Sequence, residues 1–157
     1  QPEAYELWGR DPERTPMQWD GSPNAGFTMP DARPWLPLAA GYRARNVAAQ
    51  DGDTTSMLAL FRQLTALRRA EPALNRGAIE LIDVGVEDVL AYRRTHPGRD
   101  AFIVALNFGR EARALDLEAL AATRAEVVLS TDPERKRGPF AGEFALAADE
   151  AVIWRLP

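Results

Sequence analysis

Cysteine is absent from the 157 residues and histidine occurs once. No disulfide framework or thiolate metal site can therefore form. A zinc site, which wants several nitrogen or sulfur ligands, is not expected, and neither is a cofactor. No apolar run approaches the ~20 residues that a bilayer-spanning helix requires. Basic charge is also short: the net charge is −4, without the basic stripe of a nucleic-acid binder. Neither membrane nor nucleic acid is thus an expected partner. The opening Gln1-Pro2-Glu3-Ala4 has neither the basic residues nor the apolar stretch of a signal peptide, and no Met begins the chain. The sequence reads as a mature, processed or excised piece of a soluble, cytoplasmic protein. It contains no internal repeat and no low-complexity segment. What it does have is 46 % apolar residues, enough for a core.

The composition changes twice along the chain. Up to about Gln50 it is rich in Pro, Gly, Trp and Arg, with Pro12, Pro16, Pro23, Pro30, Pro34 and Pro37 and with Trp8, Trp19 and Trp35. No helical or strand period survives there. So long an irregular segment is unusual in a free-standing domain, and indoles on a loop need a surface to bury against. From Asp53 to Ala70 the pattern turns helical. Asp53 or Thr54 is placed to cap it, and Met57, Leu60, Phe61, Leu64 and Leu67 form one apolar stripe. Arg68 and Arg69 suit the carboxyl-terminal dipole, and Glu71-Pro72 predicts the stop. From Gly77 onward the reading is β: Ala78–Val84, Val89–Arg94, Ala101–Asn107, Ala125–Leu129 and Ala151–Leu156, separated by turn signals; Ala112–Ala122 fits a strand with a loop or a short helix, and a strand near Ala112–Leu117 is the preferred reading. Short strands at this spacing suggest a small antiparallel sandwich.

The stretch Arg10-Asp11-Pro12-Glu13-Arg14-Thr15-Pro16-Met17-Gln18-Trp19-Asp20, followed by Asn24-Ala25-Gly26-Phe27-Thr28, resembles the segment that follows the last conserved catalytic strands of α-glucosidases, oligo-1,6-glucosidases and trehalose synthases of the α-amylase superfamily. The likeness extends to Pro34-Trp35-Leu36-Pro37, to Tyr42–Val47, to the helix Leu60–Leu74 and to Asn107-Phe108. It implies an α+β piece in two parts. Residues 1–75 would be the end of a (β/α)8 barrel, an irregular active-site loop plus the last helix. Residues 76–157 would be a carboxyl-terminal antiparallel β-sandwich. The barrel's active site lies at the carboxyl ends of its strands, and the Pro/Trp-rich opening would be one of the loops there.

Glycoside hydrolysis needs two placed carboxylates. In the family these lie on strands upstream of this segment, so none of the acids here is given a catalytic role and the isolated chain is expected to be inactive. The resemblance implies that Arg14 contacts the substrate: the Arg opening Arg-Thr-Pro-Met-Gln-Trp pairs with an upstream Asp around the terminal glucose. The planar guanidinium fork suits that task. Arg10 matches a second Arg near the leaving-group subsite. Trp19 reads as a loop anchor before a sugar platform, Trp8 and Trp35 have the same two readings, and His96 reads as a turn residue. Glu134-Arg135-Lys136-Arg137 reads as a solvated loop. The parent is expected to be a retaining α-glucosidase acting on short α-glucosides, with the remainder of the barrel as structural partner. The alternatives are trehalose synthase and a non-catalytic carbohydrate-binding or structural module. The aromatics of residues 76–157 (Tyr92, Phe102, Phe108, Phe140, Phe144 and Trp154) mostly read as core.

Overall fold

Between residues 15 and 46 proline and glycine keep the chain from forming strand or α-helix, so its peptide groups must find partners one at a time. The computed structural model describes residues 14–116, 118, 120, 122 and 124–156. The chain divides into two units, residues 1–61 and 62–157, with the boundary inside a helix.

In the first unit, the described residues reach a short helix, α1 (Val47–Gln50), only after a long irregular path. Its amino end leaves unpaired N–H groups, as every helix does. Asn46 answers one of them: its Oδ1 accepts from Ala49 N at 2.8 Å while its Nδ2 donates to the carbonyls of Tyr42 (2.8 Å) and Arg43 (3.2 Å). The next two amides, Val47 N and Ala48 N, donate at 2.9 Å to the carbonyls of Gln18 and Trp19. The helix start thereby fixes the end of the Arg14–Trp19 stretch. Asn46 is buried, and a buried polar group needs partners such as these.

Helix α2 (Met57–Ala70) begins later than the sequence suggested. Asp53 does not cap it. Its carboxylate is occupied by Thr55, at 2.8 Å to the amide and 2.7 Å to the hydroxyl. The caps are Ser56, whose Oγ accepts from Ala59 N at 3.1 Å, and Gln50, whose Oε1 accepts from Leu58 N at 3.1 Å. No residue of α2 is buried; Met57 is 72 % and Phe61 62 % exposed, whereas Leu67 packs against the cluster of Ala73, Leu74 and Phe102. Pro72 ends α2 as expected but also starts α3 (Pro72–Arg76), because proline fits the first helical turn.

Gly77 turns α3 into the sheet. A Cβ there would lie 2.3 Å from the Ala73 carbonyl oxygen and 2.5 Å from that of Thr95, so only glycine permits the approach. The strands are β1 (Ala78–Ile82), β2 (Val89–Thr95), β3 (Ala101–Asn107), β4 (Arg113–Asp116), β5 (Ala125–Ser130), β6 (Gly138–Phe140), β7 (Glu143–Leu146) and β8 (Ala151–Leu156). All pairings are antiparallel: a six-stranded sheet in the order β1-β2-β3-β8-β5-β6, and a two-stranded sheet β4-β7. Ala91, Ile103, Ala105, Val152 and Trp154 of the large sheet pack with Leu115, Phe144 and Leu146 of the small one to form the main core. Phe144 meets the Trp154 ring edge-on at 5.0 Å. On the other face of the large sheet, Phe102 joins Ala73 and Leu74 of α3. Arg155 ties that helix down: it bonds Glu71 at 2.8 Å, lies 3.7 Å from Asp100, and rests 5.6 Å over the Phe102 ring.

The sequence missed β6 and β7. They are three and four residues long, and Gly138-Pro139 reads as a turn. Of the aromatics read as core, Phe108 is 67 % exposed. The run Glu134–Arg137 is not simply solvated either. Arg135 forms a close bidentate ion pair with Glu150, which is fully buried and also accepts from Ser130 Oγ (2.7 Å) and Ala147 N (2.8 Å). Arg137 reaches Gln63.

Burial pushes the Glu150 carboxyl up, but the bonds from Arg135, Ser130 and Ala147 outweigh it and hold it below the ordinary value. Its contribution to stability is therefore complete above the unfolded-state value and is lost as pH falls through the lower folded-state value. Arg135→Met is expected to cost about 3–5 kcal/mol by leaving Glu150 buried and unpaired. Glu150→Gln should flatten the acid limb of a stability–pH curve. Urea denaturation at pH 7 and down to pH 3 reads both; an unchanged acid limb would refute the assignment. Asn46→Ala is expected to cost about 1–2 kcal/mol and to speed amide exchange at Val47, Ala48 and Ala49. Unaltered exchange at these three amides would show that the cap does not hold the loop.

Candidate functional site

Residues 15–19 carry no regular secondary structure, and the Arg14–Trp19 stretch is anchored from its far end. Pro16 is buried; Arg14, Met17 and Trp19 are exposed. The Arg14 guanidinium lies over the Trp35 indole, 5.6 Å from the ring centroid, within the range of a cation–π attraction. Arg10 and Trp8 lie outside the described residues. The structure thus brings Arg14 together with Trp35, an association the sequence reading did not contain. Trp19 is 51 % exposed, so its backbone, not its ring, is the anchored part.

That anchor is a left-handed turn. Asn24 (φ 56°, ψ 23°) and Ala25 (φ 56°, ψ 27°) both lie in the left-handed region, followed by Gly26 at φ 65°. For a residue with a Cβ the conformation costs roughly 1–2 kcal/mol, less for Asn, whose side chain bonds locally. Two devices offset it. The Ala25 carbonyl accepts from Trp19 N (2.9 Å) and Asp20 N (3.2 Å). The Asn24 carboxamide donates to the carbonyls of Met29 (2.7 Å) and Ala32 (2.8 Å). At roughly 0.5–1.5 kcal/mol each, four such bonds cover the strain. Gly26 is required twice over: its φ is positive, and a Cβ would sit 2.6 Å from Asp20 Oδ2.

The acids here serve the backbone. Asp20 accepts from Ser22 N at 2.8 Å and from the Ser22 hydroxyl, and these two bonds hold its carboxyl below the usual carboxylate range. At neutral pH it is an anion fixed in a turn, with no proton to give. Asp83, Asp116 and Asp132 each accept from an amide two residues on. Among the described residues no three His, Asp or Glu converge as a metal site, and no helix is long and apolar enough to cross a membrane. An open depression of ≈ 550 Å³ lies beside the loop, lined by Thr15, Pro16, Gln18, Arg45, Asn46 and Gln50 among others; Arg14 is not part of its wall. The arrangement offers a guanidinium, an indole face and fixed carbonyls. These do not supply a proton donor and a nucleophile. Asn24 and Asn46, which hold the loop, were visible in the sequence only as members of a motif; their short polar side chains beside glycine, or before an apolar helix start, were the available signal.

A family profile described as "Alpha amylase, catalytic domain" matches residues 2–77. A salivary α-glucosidase of Anopheles gambiae is 48 % identical over 114 residues, which are 73 % of this chain and 19 % of that protein. An amino acid transporter heavy chain of Rattus norvegicus is 37 % identical over 127 residues, 78 % of this chain and 18 % of that one. The crystal structure of the isomaltulose synthase from Klebsiella sp. LX3 superposes with a TM-score of 0.81 at 30 % identity, covering 94 % of this chain and 26 % of the synthase. The chain thus spans roughly a fifth to a quarter of the length of the relatives it matches. Its irregular loop and helix followed by an antiparallel β-sandwich have the form of a barrel end with its attached β domain. On sequence and on fold, the chain belongs to the α-amylase family, matching its α-glucosidase-type members over their carboxyl-terminal portion.

Proposed function

We propose that the chain is the carboxyl-terminal part of a retaining glycoside hydrolase that cleaves or transfers terminal α-linked glucose from a disaccharide or short oligosaccharide. In this reading residues 1–75 complete a catalytic (β/α)8 barrel and residues 76–157 are its β-sandwich. The nucleophile and the acid/base lie upstream, and the rest of the barrel is the structural partner. Arg14 binds the terminal glucose together with an upstream carboxylate, and Arg10 serves the leaving-group side. The observation that carries the reading is Arg14 itself: a guanidinium at the head of the Arg14–Trp19 motif, resting on an indole. Arginine in such a place gives planar, bidentate recognition of hydroxyls and carboxylate.

Transfer in place of hydrolysis is favoured by the likeness to a protein described as a synthase, which makes a glucosyl-moving isomerase such as a trehalose synthase the second reading. A non-catalytic role finds support in the relative described as an amino acid transporter heavy chain. Product analysis separates the three: incubation of the full-length polypeptide with maltose or sucrose yields free glucose, an isomeric disaccharide, or unchanged sugar.

The 157-residue chain alone is expected to release no nitrophenol from p-nitrophenyl α-glucoside, and turnover by it would overturn the placement of the chemistry upstream. In the full-length polypeptide, Arg14→Ala is expected to lower kcat/KM by about 100-fold, the scale of a lost charged hydrogen bond of about 2–3 kcal/mol. A specificity constant within twofold of the parent would remove Arg14 from the sugar site.

A further inference from the structure

The turn at Asn24-Ala25 meets two segments at once. On one side the Ala25 carbonyl takes the amides of Trp19 and Asp20, the end of the stretch that begins at Arg14. On the other the Asn24 carboxamide gathers the carbonyls of Met29 and Ala32, with a longer 3.4 Å approach to that of Pro30, closing a turn that Ala32 N also braces by donating to Met29 O at 3.0 Å. Only Arg33 and Pro34 separate that turn from Trp35. Pro34 has a fixed φ and confines Arg33 to extended backbone, so the link from Ala32 to Trp35 has few conformations. The indole at its end is the surface on which the Arg14 guanidinium rests, 5.6 Å from the centroid.

We propose that Asn24 is a positioning residue for Arg14, acting through the Met29–Ala32 turn and the Trp35 ring. The proposal rests on the reading of Arg14 as a sugar-binding group. One pair of left-handed residues controls both the segment carrying the cation and the segment carrying its aromatic support. At 5.6 Å the pair sits near the outer limit of about 6 Å for such an attraction, so a small displacement of Trp35 ends it. A fully buried alanine in the left-handed region persists only where its surroundings over-determine it, and such residues cluster at ligand clamps. Without the Asn24 carboxamide the turn at Met29–Ala32 loses its side-chain brace, Trp35 gains freedom, and the Arg14 guanidinium loses its aromatic support. The loss falls on binding.

The test is a double-mutant cycle in the full-length polypeptide, with maltose as substrate. Asn24→Gly keeps the left-handed backbone and removes only the carboxamide. It is expected to raise KM about tenfold with kcat within about threefold of the parent. In the Arg14→Ala background the same change is expected to alter kcat/KM less than about twofold, because the group it positions is gone. An equal loss in both backgrounds would make Asn24 a general structural residue, and no loss beside an intact Arg14 would remove it from the site; either overturns the proposal. The Arg14→Ala single variant separates the two readings. A near-parental constant there removes the sugar-binding role of Arg14, whereas a damaging Arg14→Ala that is additive with Asn24→Gly removes only the role of Asn24. Should the glycine variant not fold, Asn24→Asp, which retains the size and the left-handed tolerance but replaces the donor by an acceptor, carries the same cycle.

Discussion

Buried or half-buried peptide groups must be hydrogen-bonded, and the loop from Arg14 to Asn46 has no ladder to do it. Two asparagine side chains take the place of one. Each carboxamide reaches across several residues: Asn46 to Tyr42, Arg43 and Ala49, and Asn24 to Met29 and Ala32. An amide group that both donates and accepts imitates the backbone. These two clamps, with the carbonyls of Gln18 and Trp19 set on the start of α1, turn a proline-rich stretch into a defined shape. The placement of Arg14 against Trp35 depends on that shape.

The β unit is held by a different logic. Its core is alternation between two sheets, and its polar groups sit at the joints. Asn107 occupies one joint, donating at 2.8 Å to the carbonyls of Glu111 and Ala147 while accepting from Gly109 N at 2.9 Å. Glu150 with Arg135 occupies another, and Arg155 with Glu71 fastens α3 to the sheet. Each links segments that no strand pairing joins. A purely apolar sandwich of this size would leave its connections free, and these polar knots remove that freedom.

Much of this was legible from residue pattern. The bounds of β3 and β8 were read correctly, and β2, β4 and β5 to within a residue or two at each end, because strand-length apolar runs, alternating or continuous, stand between turn residues. The start of α2 was not, because Asp53, Thr54 and Ser56 are all chemically fit to cap it and only the folded chain shows that Asp53 is taken by Thr55. Nor was Arg135 legible: four consecutive charged residues give no sign that one of them points at a buried carboxylate. At the candidate site the Arg14 motif was recognisable as a string, but its contact with Trp35 joins residues 21 apart through a turn that no periodicity encodes. The left-handed conformation of Ala25 is the clearest case. Alanine is a strong helix former, and nothing local marks it as strained.

The two rims of the six-stranded sheet are guarded unequally. At one, β6 is three residues long and centred on Pro139, which has no N–H to offer an incoming strand. At the other, β1 presents five residues, with Ile79 62 % and Leu81 72 % exposed on the same face. Strand-to-strand association of the bare chain would therefore start at β1. There Glu80 is the single charged gatekeeper, and solubility at that rim rests on one carboxylate.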